Sequence, residues 1–509
     1  MSDKHSQSEK GQITLEAYPI PSLAGGTEGM LADPDQQLHK KLSLASSIAL
    51  GYICLATWIA FSGSIATALA SGGANVLFWG LLLTLVCQLA SVATLSECCS
   101  IWPEAGGQPV WTYHLSSTRM APLLSYMVAW LVVVGLIFLG ISAEAVMAQM
   151  VLAMVVLAKP TYAIERYHIT LVMVASALAS TLFGLFGAKI LARSNKFSLI
   201  WSITGFMATC LTLLIKSKGK YNTPEFAFIT IVNESGWSNN FVPWVLGLSQ
   251  SAISTTAFDI VAHFAEEMEN PARDAPIAMM SSVGINGVVG MIYAVVLIFT
   301  LPTDVTTLTT SATGFPFAQF MYDKTGSVPG AILFLVILLV PFFLTLADVN
   351  MAAARMILSF AREKGLPASD SLSKVNQALD APVMATVLVF IGQVPLAFIF
   401  IGNSAAFNAI ISVPTLALAI SYAIVAWLML FRGRPVMKLK APFDLGHFWG
   451  PISNFICVLF TVCLTVFLSL PPVYPVTAAN MSESREIGSF GFLMHKGRKG
   501  CWWGLSQSL

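Results

Sequence analysis

The chain has 509 residues, 56% of them hydrophobic and 10% charged, against about 25% charged in soluble globular proteins. Runs of roughly 20 apolar residues, long enough to cross a bilayer, recur from residue 45 to residue 471. The fold class is therefore all-α and polytopic in a membrane. A formal net charge of +1 gives no bulk electrostatic reason to expect nucleic acid as a partner.

Residues 1–41 are polar and lack the apolar core of a signal peptide, which predicts a disordered cytoplasmic tail ahead of a transmembrane domain over 42–471. Spans are expected near 45–70, 75–99, 121–157, 168–188, 195–216, 241–265, 279–301, 329–358, 382–402, 405–430 and 451–471. The third and eighth exceed what a bilayer needs, so tilt or cytoplasmic projection is expected. With the amino terminus inside, the cytoplasmic segments hold most of the Lys and Arg, and that bias sets the orientation. Asn233-Glu234-Ser235 then falls in an external loop as a glycosylation candidate at Asn233. The eight cysteines show no CxxC pair or Cys/His cluster of metal-ligand spacing, so no metal is expected and they read as small packing residues. Residues 472–509 form an atypical polar tail. Its longest apolar run, Phe490 to Met494, is too short to span.

One stretch departs from ordinary membrane helix: "STTAFDIVAHFAEEMENPARDAP", residues 254–276. An ionisable group at membrane depth costs at least about 2.5 kcal/mol, yet Asp259, His263, Glu266 and Glu267 come within nine residues. At α-helical spacing Asp259, His263 and Glu267 share a face. Pro271 and Pro276 predict a turn after them. Upstream, "SAISTTAFD" and the first span's "TWIAFSGSIA" are rich in Ser, Thr and Gly. Such residues favour either a local helix break or close helix packing, and these residues alone do not choose. Two more acids lie inside spans, Glu144 in "GISAEAVMA" and Asp348 in "LADVNMAAAR", and each is a candidate for coupling or gating. Glu97 and Glu104 lie near the cytoplasmic face and read as structural.

"SGGANVLFWG" with "SECCSIWPEAGGQPVWTYHLS", "FDIVAHFAEEMENPARDAP", "AAARMILSFAREKGLP", "SAAFNAIISVPTLALAISYAI" and "LPPVYPVTAANM" together resemble fungal amino-acid, GABA and choline permeases of the amino acid–polyamine–organocation superfamily. The resemblance covers residues 42–481 and implies a LeuT-like 5+5 inverted repeat with broken first and sixth helices, followed by two further helices. It ends where the twelfth helix begins, so eleven spans are expected here. An altered reading of the gene's end is the favoured explanation, and a true eleven-span isoform is the alternative. By resemblance, substrate binds at the breaks: Thr57, Trp58, Ile59, Ala60 and Ser62 in the first span, and Thr255, Thr256, Ala257, Phe258 and Asp259 in the sixth. The family's small-residue break is altered here to "TWIAFS". Trp58 and Phe258 are therefore either a cation–π site or packing residues.

The expected function is secondary active import of a small amine-bearing solute, GABA or a related amino acid, by proton symport across the plasma membrane or, alternatively, a vacuolar one. A choline or quaternary-amine permease is the alternative, and a non-transporting nutrient receptor is an alternative of another class. Asp259 is assigned to the substrate amine or the proton. His263 is either a relay or a simple partner of Asp259, and Glu266 and Glu267 pair with Arg273 or other cytoplasmic basic residues as an inner gate. No cofactor is expected. "HFAEE" is not the HExxH of zinc proteases and no Walker A sequence occurs, so the chain does not read as an enzyme.

Overall fold

The computed structural model describes residues 38–302, 308, 311, 313–402, 404–433 and 441–470. The two expected tails, 1–41 and 472–509, thus lie outside the described residues except for 38–41. Among the described residues eleven helices are long and apolar enough to cross a membrane: Leu44–Gly63, Val76–Ile101, Ala121–Ala158, Arg166–Phe186, Ala188–Lys216, Phe241–Glu267, Pro271–Thr300, Val328–Arg362, Val383–Gly402, Val413–Arg432 and Gly446–Leu468. The first span packs on the seventh, the third on the eighth and tenth, and the fourth on the ninth. Apolar rows such as Leu171, Leu178 and Leu182 on the fourth span remain exposed, because their partner is hydrocarbon rather than protein.

Helix continuity fails in the first and sixth spans, five crossings apart, so the two broken helices run in opposite directions. The first runs Leu44–Leu55, turns at Ala56 (φ 42°), and resumes at Thr57–Gly63. The sixth runs Phe241–Ile253, and Ala257 (φ 79°) precedes a second half, Phe258–Glu267. Left-handed backbone at a residue other than glycine is costly, and of the five such residues described, Ala56 and Ala257, the two inside membrane spans, fall at these breaks. The first break sits one residue ahead of the stretch expected to hold it.

The second half of the sixth span is a 3₁₀ helix over all ten residues, far beyond the usual 3–4 of that form. This corrects the expectation that Glu267 continues the charged face. At three residues per turn, positions four apart are rotated by about 120°, and Glu267 turns to other neighbours, while Asp259 and His263 still approach to 3.8 Å.

The seventh span also begins earlier than expected, at Pro271, and runs through Pro276 without stopping. Pro271 stands at the start of the helix, where its missing N–H is not needed. Pro276 frees the Ala272 carbonyl, which accepts a hydrogen bond from the Ser100 hydroxyl at 2.9 Å instead. Outside the bundle, β1 (Ser71–Gly72) pairs with β2 (Val232–Asn233). Asn233 donates to the Trp237 carbonyl at 2.9 Å and accepts from the Ser235 hydroxyl at 2.7 Å.

Candidate functional site

Breaking a helix inside a bilayer leaves donors and acceptors that water cannot satisfy. Side chains take that role here. Asn286 of the seventh span accepts from the Thr57 N–H at 3.1 Å and donates to the Tyr52 carbonyl at 3.0 Å. The Thr57 hydroxyl donates to the Ser254 carbonyl at 2.8 Å, and Thr345 of the eighth span donates to the Ile53 carbonyl at 2.8 Å. The two breaks are thereby tied to each other and to the seventh and eighth spans.

Asp259 follows the sixth-span break directly and is fully buried. Its Oδ2 accepts from Gln108 Nε2 at 2.5 Å and its Oδ1 accepts from the Tyr422 hydroxyl at 2.5 Å. Gln108 opens a short helix, Gln108–Leu115, between the second and third spans, and Tyr422 belongs to the tenth. Both partners were missed as candidates, although each lies within a stretch quoted for the resemblance. Side chains brought together from 151 and 163 residues away leave no periodic signal. The Phe258 ring lies 5.0 Å from the Tyr422 ring, so an acid and two aromatics form one corner.

His263 is buried, with Nδ1 2.8 Å from the Ala105 carbonyl and Nε2 3.8 Å from Asp259 Oδ2. A carbonyl can only accept, so Nδ1 carries the hydrogen. Nε2 then faces the carboxylate. That nitrogen has no hydrogen-bond partner among the described residues.

The other break residues are mostly occupied. The Trp58 indole donates to Ser202 at 2.9 Å, and its ring packs edge-on against Phe206 and Tyr293 at 6.0 and 5.7 Å. Trp58 and Phe258 therefore do not share one cage. Ser62 bonds the Trp58 carbonyl and Tyr293, Thr255 bonds the Ser251 carbonyl, and Thr256 links the Ala252 carbonyl to Gln88. Ile59 and Ala257 are buried, and Ala60 alone of the expected set is part exposed.

At the carboxyl end of the sixth span the charges pair with basic residues, though not with Arg273. Glu267 is buried between Arg355 Nε and Lys41 Nζ, the latter at 2.8 Å, and Lys41 also reaches Asp380 at 3.0 Å. The Arg355 guanidinium lies over the Phe264 ring at 4.1 Å. Glu266 takes Arg362 through both oxygens, at 2.9 and 3.1 Å. Backbone joins in: the N–H groups of Lys41 and Leu42 donate to the Glu267 carbonyl, each at 2.9 Å. Residues 38–41, grouped with the tail on sequence grounds, are thus strapped across the ends of the sixth and eighth spans. Burial raises the Asp380 pKa, but the His39 N–H and the Lys41 ammonium outweigh it and hold the carboxyl below its ordinary value.

Glu144 and Asp348 stand apart from this array. Both are fully buried; neither carboxyl oxygen of Glu144 has a hydrogen-bond partner among the described residues, and Asp348 faces the Asn195 carboxamide. Beside Glu144 on the third span, Gly140 leaves room for Gln393, which donates to Asn350 at 2.8 Å, and Asn350 donates to Ser180 at 2.8 Å. A cavity of about 370 Å³ between the third and eighth spans is lined by Met147, Val151, Leu339, Val340, Phe343 and Leu344. That lining is apolar and offers a charged amine nothing.

The amino acid permease family model matches residues 42–488. The choline transporter of Saccharomyces cerevisiae is 31% identical, covering 92% of this chain and 83% of its own. An uncharacterized amino-acid permease of Schizosaccharomyces pombe is 30% identical over 94% of this chain and 90% of its own. The swainsonine transporter of Arthroderma benhamiae is 26% identical over 91% and 90%.

Proposed function

Because the chain belongs to the amino acid permease family, we propose that it imports a small amine-bearing solute, GABA or a related amino acid, by proton symport through the two breaks. Such transport makes the chain an integral multi-pass membrane protein of the transporter class, and not an enzyme. The observation that carries the reading is the environment of Asp259: a buried carboxylate held by two neutral donors, with an unpartnered imidazole nitrogen 3.8 Å away. An ammonium brings donors of its own, and charge-assisted hydrogen bonds are roughly twice as strong as neutral ones. A substrate amine therefore displaces Gln108 or Tyr422 from the carboxylate. A proton arriving at His263 Nε2 competes for the same carboxylate, which links proton and substrate at one point. Release to the inside requires the strap and the Glu267–Arg355–Lys41 contacts to part. In this reading Glu266 and Glu267 are the gate, and the buried acids Glu144 and Asp348 are additional coupling candidates.

Choline is the second reading, favoured by a specific observation. The N–H that opens the outer half of the first span at Thr57 is taken by Asn286, so it offers nothing to a substrate carboxylate. The acid and aromatic corner of Asp259, Phe258 and Tyr422 suits a quaternary ammonium.

Labelled uptake decides between them, in permease-deficient yeast expressing this chain, with GABA and choline compared at acidic and neutral external pH. Accumulation of GABA, stronger at acidic pH, is the expected result. Accumulation of choline instead moves the assignment to the second reading. Saturable binding without accumulation of either sinks the transporter reading in favour of a nutrient receptor.

A further inference from the structure

The seventh span (Pro271–Thr300) turns one face toward the first along both sides of its break. Ala278, Ser282, Asn286, Gly290 and Tyr293 recur at helical spacing. On the inner side the backbones nearly touch: a Cβ on Gly51 would lie 3.0 Å from the Ala278 carbonyl and from Ser282 Cβ. On the outer side a Cβ on Gly290 would meet Thr57 Cγ2 at 2.9 Å, and the Tyr293 hydroxyl meets the Ser62 hydroxyl at 2.6 Å. Between these contacts stands Asn286, fully buried.

The turn at Ala56 frees the Thr57 N–H, while the Tyr52 carbonyl keeps the Ala56 N–H at 3.1 Å and has a lone pair for a second donor. One rigid group that both donates and accepts can join the two halves, and a carboxamide does so. Asn286 Nδ2 donates to the Tyr52 carbonyl at 3.0 Å, and Oδ1 accepts from the Thr57 N–H at 3.1 Å. A further donation to the Ser282 carbonyl of its own helix, at 2.9 Å, fixes the amide's orientation. Thr57 passes the connection on through its hydroxyl to Ser254 in the sixth span.

We infer that Asn286 is a positioning residue of the transport site, a splice that sets the two halves of the first span in the geometry that receives substrate. The seventh span is then a splint for the first, and Asn286 and Tyr293 are its polar ties. This inference rests on the reading that substrate is bound at the breaks. Asn286 touches no substrate, so its effect reaches binding through Thr57 and the backbone around it. Aspartate loses the donor, and leucine loses both functions.

The test is kinetic, in cells expressing the full chain, with the solute the unaltered chain accumulates. Asn286→Leu is expected to raise the transport KM tenfold or more, with Vmax per surface molecule within about threefold of the parent. Asn286→Asp, which keeps the acceptor, is expected to fall between the two. A residue that only stabilises the fold lowers surface level and Vmax and leaves KM alone. If Asn286→Leu is retained inside the cell, Tyr293→Phe cuts the outer tie without changing the packing and is expected to raise KM at normal surface level. An unchanged KM in a surface-expressed Asn286 variant, or in Tyr293→Phe when the leucine variant is retained, overturns the inference. Failure of the parent chain to transport any amine overturns the function it rests on, so the two failures are separable.

Discussion

Asp259 is the residue on which charge, burial and backbone break converge, and its two oxygens are both committed to neutral donors. Asparagine at 259 is the same size but presents one acceptor and an NH₂ that faces another donor. Asp259→Asn is expected to abolish uptake while leaving surface level within about twofold. Uptake assays paired with surface labelling check this, and normal uptake removes Asp259 from the mechanism. Asp259 and His263 were legible in the sequence because charge at membrane depth stands out against apolar surroundings. Gln108 and Tyr422 were not, since neutral polar residues carry little cost and their roles come from long-range packing. Trp58 was legible as unusual, and the structure turns its ring away from Phe258, toward the fifth and seventh spans.

Helix boundaries followed the apolar runs closely where no polar partner intervened. They failed at the seventh span, where Pro276 signalled a stop that Ser100 removes by satisfying the freed carbonyl of Ala272, 172 residues from it. The 3₁₀ winding of the sixth span was equally hidden, because its residues do not differ in kind from those of an α-helix. At the carboxyl end of the sixth span, the pair of Glu267 and Arg355 has side chains 0% and 2% exposed, and breaking a buried pair from one side costs about 3–5 kcal/mol. Arg355→Met is expected to lower the melting temperature of the purified protein markedly, and Arg355→Met with Glu267→Gln to recover part of that loss. Melting of the single variant together with the parent means the pair contributes nothing.

The strap answers to pH in a definite direction. A carboxyl with a lowered folded pKa adds stability that is present above its ordinary value of 3.8 and lost as pH falls through the lowered one. Backbone amides of residues 39–42 are therefore expected to keep equal hydrogen-exchange protection at neutral and mildly acidic pH, once intrinsic rates are corrected. Loss of protection above about pH 5 is incompatible with Asp380 as the anchor.

At the scale of the whole molecule, composition and the order of several motifs were enough for the class, for eleven long apolar helices among the described residues, and for a break in the first and sixth spans, the first of them placed one residue late. They could not show how the broken backbone is satisfied, because Asn286 and Thr345 look like any small polar residue in a membrane helix. The tie between the two breaks, Thr57 to Ser254, makes the first and sixth spans one mechanical unit.

Within that unit the unusual winding of Phe258–Glu267 sets a length as well as a direction. A 3₁₀ helix rises about 2.0 Å per residue and an α-helix about 1.5 Å. Asp259 and Glu267 are thereby held about 4 Å farther apart than α winding allows. Were the segment to relax to the slacker pitch, it would draw the inner ionic contacts toward the bilayer centre and rotate them about the helix axis. The segment acts as a screw jack, whose stroke is measured in pitch and needs no hinge.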